Sequence, residues 1–126
     1  QKMYNEEASE YGITMATGFT LLSVDPQKGT PSTALGPKMG MEATSLSRIL
    51  KTLENLNLIE RLPNPNDGRG VLIHLTEQGL KNREDVKQNV LKFNNVIKSE
   101  ISEEKLNDFY EVSECIMNLI SNKKIF

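Results

Sequence analysis

Five hydrogen-bonding side chains lie within eight residues near the middle of the chain: Thr44, Ser45, Ser47, Arg48 and Lys51. Hydroxyl, guanidinium and ammonium groups all donate hydrogen bonds, so together they form a surface that could recognise a polar partner. The chain has one histidine and one cysteine, and its sequence shows no nucleophile–base pair, phosphate-binding loop or metal-ligand cluster. We therefore expect recognition rather than catalysis, and we assign no catalytic residue, no metal ligand and no cofactor.

A helix is the element that must carry these side chains. The apolar residues between them recur at steps of three and four and so fall on one helical face: Leu46, Ile49, Leu50, Leu53 and Leu56. The polar side chains then occupy the opposite face. Asn57 follows, and asparagine can adopt the left-handed conformation that ends a helix. Taken alone, this pattern is equally typical of an ordinary solvated helix face.

Two short apolar runs, residues 58–62 and 71–75, follow the helix and predict two strands. Residues 63–70 between them contain two prolines, two asparagines and two glycines, and we expect a long, stiff loop with Arg69 at its tip. An amphipathic helix followed by a β-hairpin with a basic tip is the layout of a winged helix. That context favours a binding function for the polar face of the helix.

This stretch resembles the DNA-binding core of the MarR family of bacterial transcriptional regulators. The matching segments are residues 45–50, 53–54, 58–61 and 75–79, together with Asp67-Gly68-Arg69, which matches the family's Asp-x-Arg wing signature. Each piece alone is weak, but their order and spacing make the resemblance specific. It implies an α+β, mostly α, winged helix-turn-helix with long terminal dimerisation helices. The domain would span residues 1–126, with the winged-helix core at 14–79 and dimerisation helices at 1–13 and 80–126.

The resemblance also implies which residues bind double-stranded DNA. Recognition helices place their N-terminal part in the major groove, where Thr44, Ser45, Ser47 and Arg48 would contact bases and Lys51 a phosphate. Arg69 of the wing would enter the minor groove, and Asn64 would also contact DNA. Asp67 would orient the wing rather than touch DNA. The partners implied are operator DNA and a second copy of the chain, with repression as the expected outcome.

The family also binds small-molecule effectors between its dimerisation and DNA-binding regions. This makes four residues candidates for an effector pocket: Tyr4, Tyr11, Met15 and Phe19. Core packing is the simpler explanation of the same four side chains. If an effector exists, we expect it to release the protein from DNA by shifting the population of dimers.

The residues before the recognition helix depart from the family pattern at two places, Gly36-Pro37 and Glu42. Thr30-Pro31 predicts a helix cap followed by proline at the first helical position. Gly36-Pro37 then falls inside that helix, so we expect the helix to be kinked or short. Glu42 stands where the family usually has a serine cap. Its carboxylate would favour the helix dipole without being a regular cap.

The residues after the wing predict two long amphipathic helices. Thr76 and Ser102 are residue types that cap helices. Apolar stripes follow each of them: Val86, Val90, Phe93 and Ile97 in the first helix, and Leu106, Phe109, Ile116 and Ile120 in the second. These stripes exceed what one small winged helix needs to cover, so we expect a homodimer.

Composition narrows the function further. The 126 residues carry a net charge of −2, and residues 38–70 hold five basic and four acidic side chains, which excludes a generally basic nucleic-acid binder. The near-neutral charge keeps a winged-helix protein–protein interaction module as the alternative function. No apolar run is long enough to span a membrane and no signal peptide is visible, so we expect a cytoplasmic protein. Because the chain opens at Gln1, we expect the natural N-terminus upstream.

Overall fold

A computed structural model describes residues 14–123 of the chain. This part contains five helices and three strands: α1 Met15–Ser23, β1 Thr30–Pro31, α2 Ser32–Met39, α3 Ala43–Asn55, β2 Ile59–Asn64, β3 Asp67–Leu75, α4 Glu77–Glu100 and α5 Glu103–Ser121. The chain divides into two compact units, residues 1–89 and 90–126. The predicted class, α+β with mostly helix and a small antiparallel sheet, is confirmed.

The first helix and the turn after it are held by local hydrogen bonds. Thr14 and Thr17 form a reciprocal capping box at the start of α1. In the turn that follows, the carboxylate of Asp25 accepts backbone hydrogen bonds from Gln27 at 2.9 Å and Lys28 at 2.8 Å. The bonds from Lys28 and Gln27 hold the pKa of the Asp25 carboxyl below its ordinary value. This turn leads the chain into β1.

The sheet has the order β1-β3-β2, with all pairs antiparallel. β1 consists of Thr30 and Pro31, which pair with Ile73 and Leu72 of the central strand. The predicted roles of Thr30 as helix cap and Pro31 as first helical residue were therefore wrong. The hydroxyl of Thr30 is already bonded to the amide of Asp25 at 2.9 Å, and α2 begins one residue after Pro31.

A hydrophobic core joins α1, α2, α3 and the sheet within the first unit. Its buried side chains are Leu21, Val24, Leu35, Leu46, Leu50, Leu53, Leu58, Ile59 and Ile73. The three leucines of α3 in this list belong to the predicted apolar face. Leu56 was expected on the same face, but it is the C-cap and lies exposed at the end of the helix. The core thus fixes which face of α3 points outward.

The second unit contains the last part of α4 and the whole of α5. Ser102 caps α5 by accepting a hydrogen bond from the amide of Lys105 at 3.3 Å, as predicted. Within the described residues, α5 has no buried side chain. None of the helices between residues 14 and 123 is long and apolar enough to cross a membrane.

Candidate nucleic-acid interface

The turn between α2 and α3 sets the position of the polar helix. The amide of Met41 donates to the carbonyl of Gly36 at 2.9 Å, and a Cβ on Gly36 would lie 3.0 Å from the carbonyl oxygen of Met41. Glycine therefore avoids a tight contact where the chain folds back so closely. Pro37 lies inside α2, and the helix ends two residues later, at Met39. The helix is eight residues long, which agrees with the expectation of a short helix.

Lys38 ties this helix to the one before it. Its ammonium donates to the carbonyl of Ser23 at 2.6 Å, at the C-terminal end of α1. A cation at that end also complements the negative pole of the helix dipole. In the sequence, Lys38 is recognisable only as a charge, because a contact across fifteen residues leaves no local pattern.

The five predicted side chains of α3 all lie on its exposed face. Within residues 14–123, the side chains of Thr44, Ser45, Ser47, Arg48 and Lys51 make no hydrogen bond or ion pair. Glu42 is the N-cap, as expected, but its side chain makes no capping hydrogen bond. The first-turn amides of α3 are therefore left without a side-chain cap, beside a row of free donors.

The end of α3 is a complete Schellman motif. Asn57 has φ of 58°, as predicted for the residue that ends the helix. Its amide donates to Glu54 at 3.0 Å and the amide of Leu58 donates to Leu53 at 2.9 Å. Leu53 and Leu58 are both buried, which supplies the hydrophobic contact that accompanies this motif. The helix therefore passes into β2 through a turn with little freedom.

An ion pair on the surface bridges the two sides of the same turn. Arg61 Nε donates to the Glu54 carboxylate at 3.1 Å, across the connection between α3 and β2. Both side chains are partly exposed, so the bond contributes modestly to stability. This pair was not predicted from the sequence. The only available signal was the opposite charge of two residues seven apart on either side of a predicted turn.

The wing is a tighter hairpin than the sequence suggested. β2 extends to Asn64 and β3 starts at Asp67, so the turn has two residues, Pro65 and Asn66, and the expected eight-residue loop was wrong. Pro63 is accommodated because it lies in β2, an edge strand. The pairing shifts between Pro63 and Asn64, whose partners are Val71 and Asp67. Residues 68–70 therefore bulge from β3, and Arg69 is at the middle of that bulge.

Two side-chain turns shape the tip of the wing. The carboxylate of Asp67 accepts a hydrogen bond from the amide of Arg69 at 3.1 Å. The side-chain oxygen of Asn64 accepts one from the amide of Asn66 at 3.0 Å. Both are Asx turns, in which a side chain replaces a backbone acceptor. The guanidinium of Arg69 is exposed and has no partner among residues 14–123.

The candidate effector residues are only partly covered by the structure. Tyr4 and Tyr11 lie outside the described residues. Met15 and Phe19 are 43% and 46% exposed on α1, where their spacing of four places them on one side of the helix. Gly18 lies between them in sequence. A Cβ built on Gly18 would lie 3.4 Å from the side chain of Val86 in α4, which is an ordinary van der Waals contact.

Comparison with known proteins agrees with this geometry. The model of the MarR family matches residues 13–71, which cover α1 to the first part of β3. The HTH-type transcriptional regulator SarZ of Staphylococcus epidermidis is 30% identical over 125 residues, covering 99% of this chain and 76% of SarZ. The multiple antibiotic resistance protein MarR of Escherichia coli K12 is 36% identical over 78 residues, covering 62% of this chain and 54% of MarR.

Solved structures share the fold. A mutant of MarR from E. coli, complexed with operator DNA, has a TM-score of 0.80 and 27% identity, covering 91% of this chain and 83% of that one. S. aureus MepR in its DNA complex has a TM-score of 0.84 at 23% identity, covering 93% and 87% of the two chains. The MepR comparison supports the fold alone. From the family match, the SarZ relationship over nearly the whole chain and the observed winged helix, the chain belongs to the MarR family of transcriptional regulators.

Proposed function

We propose that this protein binds double-stranded DNA at a near-palindromic operator as a homodimer and represses transcription. The observation that carries the proposal is the outward face of α3, where five exposed donors have no partner within residues 14–123. This face is available to a polar partner outside the chain, because apolar side chains on the opposite face fill the core and hold the donors outward. One relative of known structure, a mutant of E. coli MarR, is complexed with operator DNA.

α3 acts as the recognition helix in this proposal. Thr44, Ser45, Ser47 and Arg48 lie in its first two turns, and these meet base edges when such a helix enters the major groove. The planar fork of Arg48 suits a bidentate bond to guanine. Lys51 lies further along the helix, where an ammonium meets a phosphate.

The wing adds a second contact. Arg69 stands in the bulge of β3 with a free guanidinium, the group that narrow, electronegative minor grooves attract. Asp67 holds the backbone of Arg69 in an Asx turn and so acts as the wing-orienting residue. Asn64 uses its side-chain oxygen within the turn, so its amide donor is the group left for DNA.

A homodimer accounts for the apolar surface of the second unit. α5 exposes Phe109 by 64%, Met117 by 66% and Ile120 by 59%. A stripe of this size is unfavourable in water, and a second copy of the chain would cover it. Residues 14–79 would then form the DNA-binding core, and residues 1–13 and 80–126 would hold the two copies together.

Repression, and its release by a small-molecule effector, are the last part of the proposed function. Repression follows from resemblance to the family, and operator binding in the cytoplasm would exclude the transcription machinery. An effector would bind near Met15 and Phe19, with Tyr4 and Tyr11 as further candidates, and would favour dimers whose recognition helices no longer match the operator.

Selection of bound sequences from a random duplex pool tests the function. The expected result is an enriched near-palindrome whose half-sites lie about one helical turn, roughly 34 Å, apart. Binding to that site should weaken steeply as salt rises, because phosphate contacts release counterions. A protein that enriches no sequence and does not bind duplex DNA would contradict the proposal and would favour a protein–protein interaction module.

A further inference from the structure

The end of the recognition helix is bonded to the start of α4. Thr76 Oγ1 donates to the carbonyl of Asn57 at 2.7 Å, and the amide of Thr76 donates to the carbonyl of Leu58 at 3.1 Å. Asn57 and Leu58 are the two residues that follow the C-cap of α3. Two hydrogen bonds from one residue therefore join the turn after α3 to the residue that precedes α4.

The hydroxyl of Thr76 also takes part in a second hydrogen bond. It accepts a hydrogen bond from the amide of Gly79 at 3.0 Å and so caps α4, as the sequence predicted. A hydroxyl can donate one hydrogen bond and accept another at once. A carboxylate can only accept, so an aspartate at this position would keep the cap of α4 and lose the bond to Asn57.

Backbone packing brings the start of α4 into direct contact with the chain that leaves α3. A Cβ built on Gly79 would overlap the carbonyl oxygen of Leu58, so the first turn of α4 lies directly against the backbone that leaves α3. Leu58 itself is buried in the core. Because no side chain separates the two backbones, rotation of α3 towards the start of α4 would be opposed by a steric clash.

We propose that Thr76 is a positioning residue that sets the angle between the recognition helix and α4, and thereby the half-site spacing that the dimer prefers. The inference rests on the proposed function, in which residues 80–126 hold two copies together. If the copies are joined beyond residue 80, rotation of α3 against the start of α4 changes the separation of the two recognition helices. Thr76 makes no DNA contact in this proposal.

The experiment compares three Thr76 variants on operators of different spacing. The selected operator is tested beside versions with one base pair inserted or removed between the half-sites. Thr76→Ser keeps both hydrogen bonds of the hydroxyl, Thr76→Asp keeps only the cap, and Thr76→Val removes both while preserving the shape. Competition between operators for the same protein gives an affinity ratio that does not depend on the fraction of folded molecules.

Wild type and Thr76→Ser should have the same ratio of affinities for the selected operator and the operators of altered spacing. Thr76→Asp and Thr76→Val should change it by about twofold to tenfold, as expected for the loss of one hydrogen bond. The negative charge that aspartate adds should weaken binding to every operator equally. The charge by itself should therefore not change the affinity ratio between operators. A thermal unfolding midpoint of Thr76→Asp above that of Thr76→Val, which loses both bonds, would show that the cap is retained.

The outcomes separate the two proposals. If wild type discriminates between spacings and both Thr76→Asp and Thr76→Val keep the wild-type ratio, the positioning role is wrong while operator binding stands. If wild type binds none of the operators, the proposed function fails, and the positioning role fails with it. A changed ratio in both variants, with an unchanged one in Thr76→Ser, supports the inference.

Discussion

At the scale of single residues, the arginines of the winged helix have different surroundings. Arg61 is engaged by Glu54, whereas Arg48 on α3 and Arg69 on the wing have no partner among the described residues. An unpaired surface guanidinium contributes little to folding, so its removal can be read as a change in binding. Arg48 and Arg69 are therefore the clearest residues for testing the interface.

Arg69→Ala should weaken operator binding and reduce the slope of log affinity against log salt by about 1 per subunit, because one phosphate-region contact is lost. Arg69→Lys should restore only part of the affinity, since an ammonium is more strongly hydrated and lacks the planar fork. The measurement is binding at several salt concentrations, with thermal unfolding as the control. Wild-type binding by Arg69→Ala at every salt would mean that the wing does not touch DNA.

Arg48→Ala should cost about 1–3 kcal/mol in operator binding and relax base preference at one position in each half-site. Lys51→Ala, on the same exposed face, is the matched control and should weaken all sequences about equally, as loss of a phosphate contact does. Repeating the duplex selection with each variant measures both effects. An unchanged base preference in Arg48→Ala would assign base reading to another residue, such as Ser45 or Ser47.

At the scale of elements, the junction between α3 and α4 depends on a glycine. Gly79→Ala would force a methyl group into the carbonyl of Leu58, and neither backbone can move without disturbing the core. We expect a loss of about 1–3 kcal/mol in unfolding free energy, typical of overpacking at a buried site.

Gly68→Ala is the matched control for Gly79→Ala. A Cβ on Gly68 would meet no atom within 4 Å, so the same chemical change should alter stability by less than about 1 kcal/mol. Chemical denaturation of both variants gives the comparison. Equal stabilities of the two would contradict the close packing of α4 against Leu58.

At the scale of the whole molecule, dimerisation is the property to test. Met117 lies on the exposed apolar surface of α5, and Asn118 is its exposed neighbour. Met117→Glu should raise the dimer dissociation constant by about tenfold or more, because a dimer would have to bury the new charge. Asn118→Glu adds the same charge outside the apolar stripe and should have a much smaller effect.

Sedimentation over a range of concentrations measures both dissociation constants. The isolated chain of each variant should remain folded, because Met117 is already exposed within the single chain. A wild-type protein that stays monomeric at micromolar concentration and still binds a palindromic site tightly would rule out the dimer. If Met117→Glu dimerised as strongly as wild type, the dimer interface would not include this surface.

Features that depend on neighbours along the chain were predictable from the sequence. Helical periodicity placed Leu46, Leu50 and Leu53 inward and the polar side chains of α3 outward, because residues three and four apart share a face. Asn57 marked the end of that helix, since few residues adopt a positive φ. The caps at Thr14, Thr76 and Ser102 were also predictable, because each bonds an amide three residues later.

Features that depend on residues far apart in sequence became visible only in the folded chain. Thr30-Pro31 is a strand rather than a helix start because β3, more than forty residues later, supplies its partners. The register of β2 on β3 turned the expected loop into a short hairpin with Arg69 in a bulge. The bond from Thr76 to Asn57 and the contact of Gly79 with Leu58 likewise appear only when the chain folds back on itself. Such contacts leave no periodic signal, because their partners are brought together by packing of the whole core and not by local spacing.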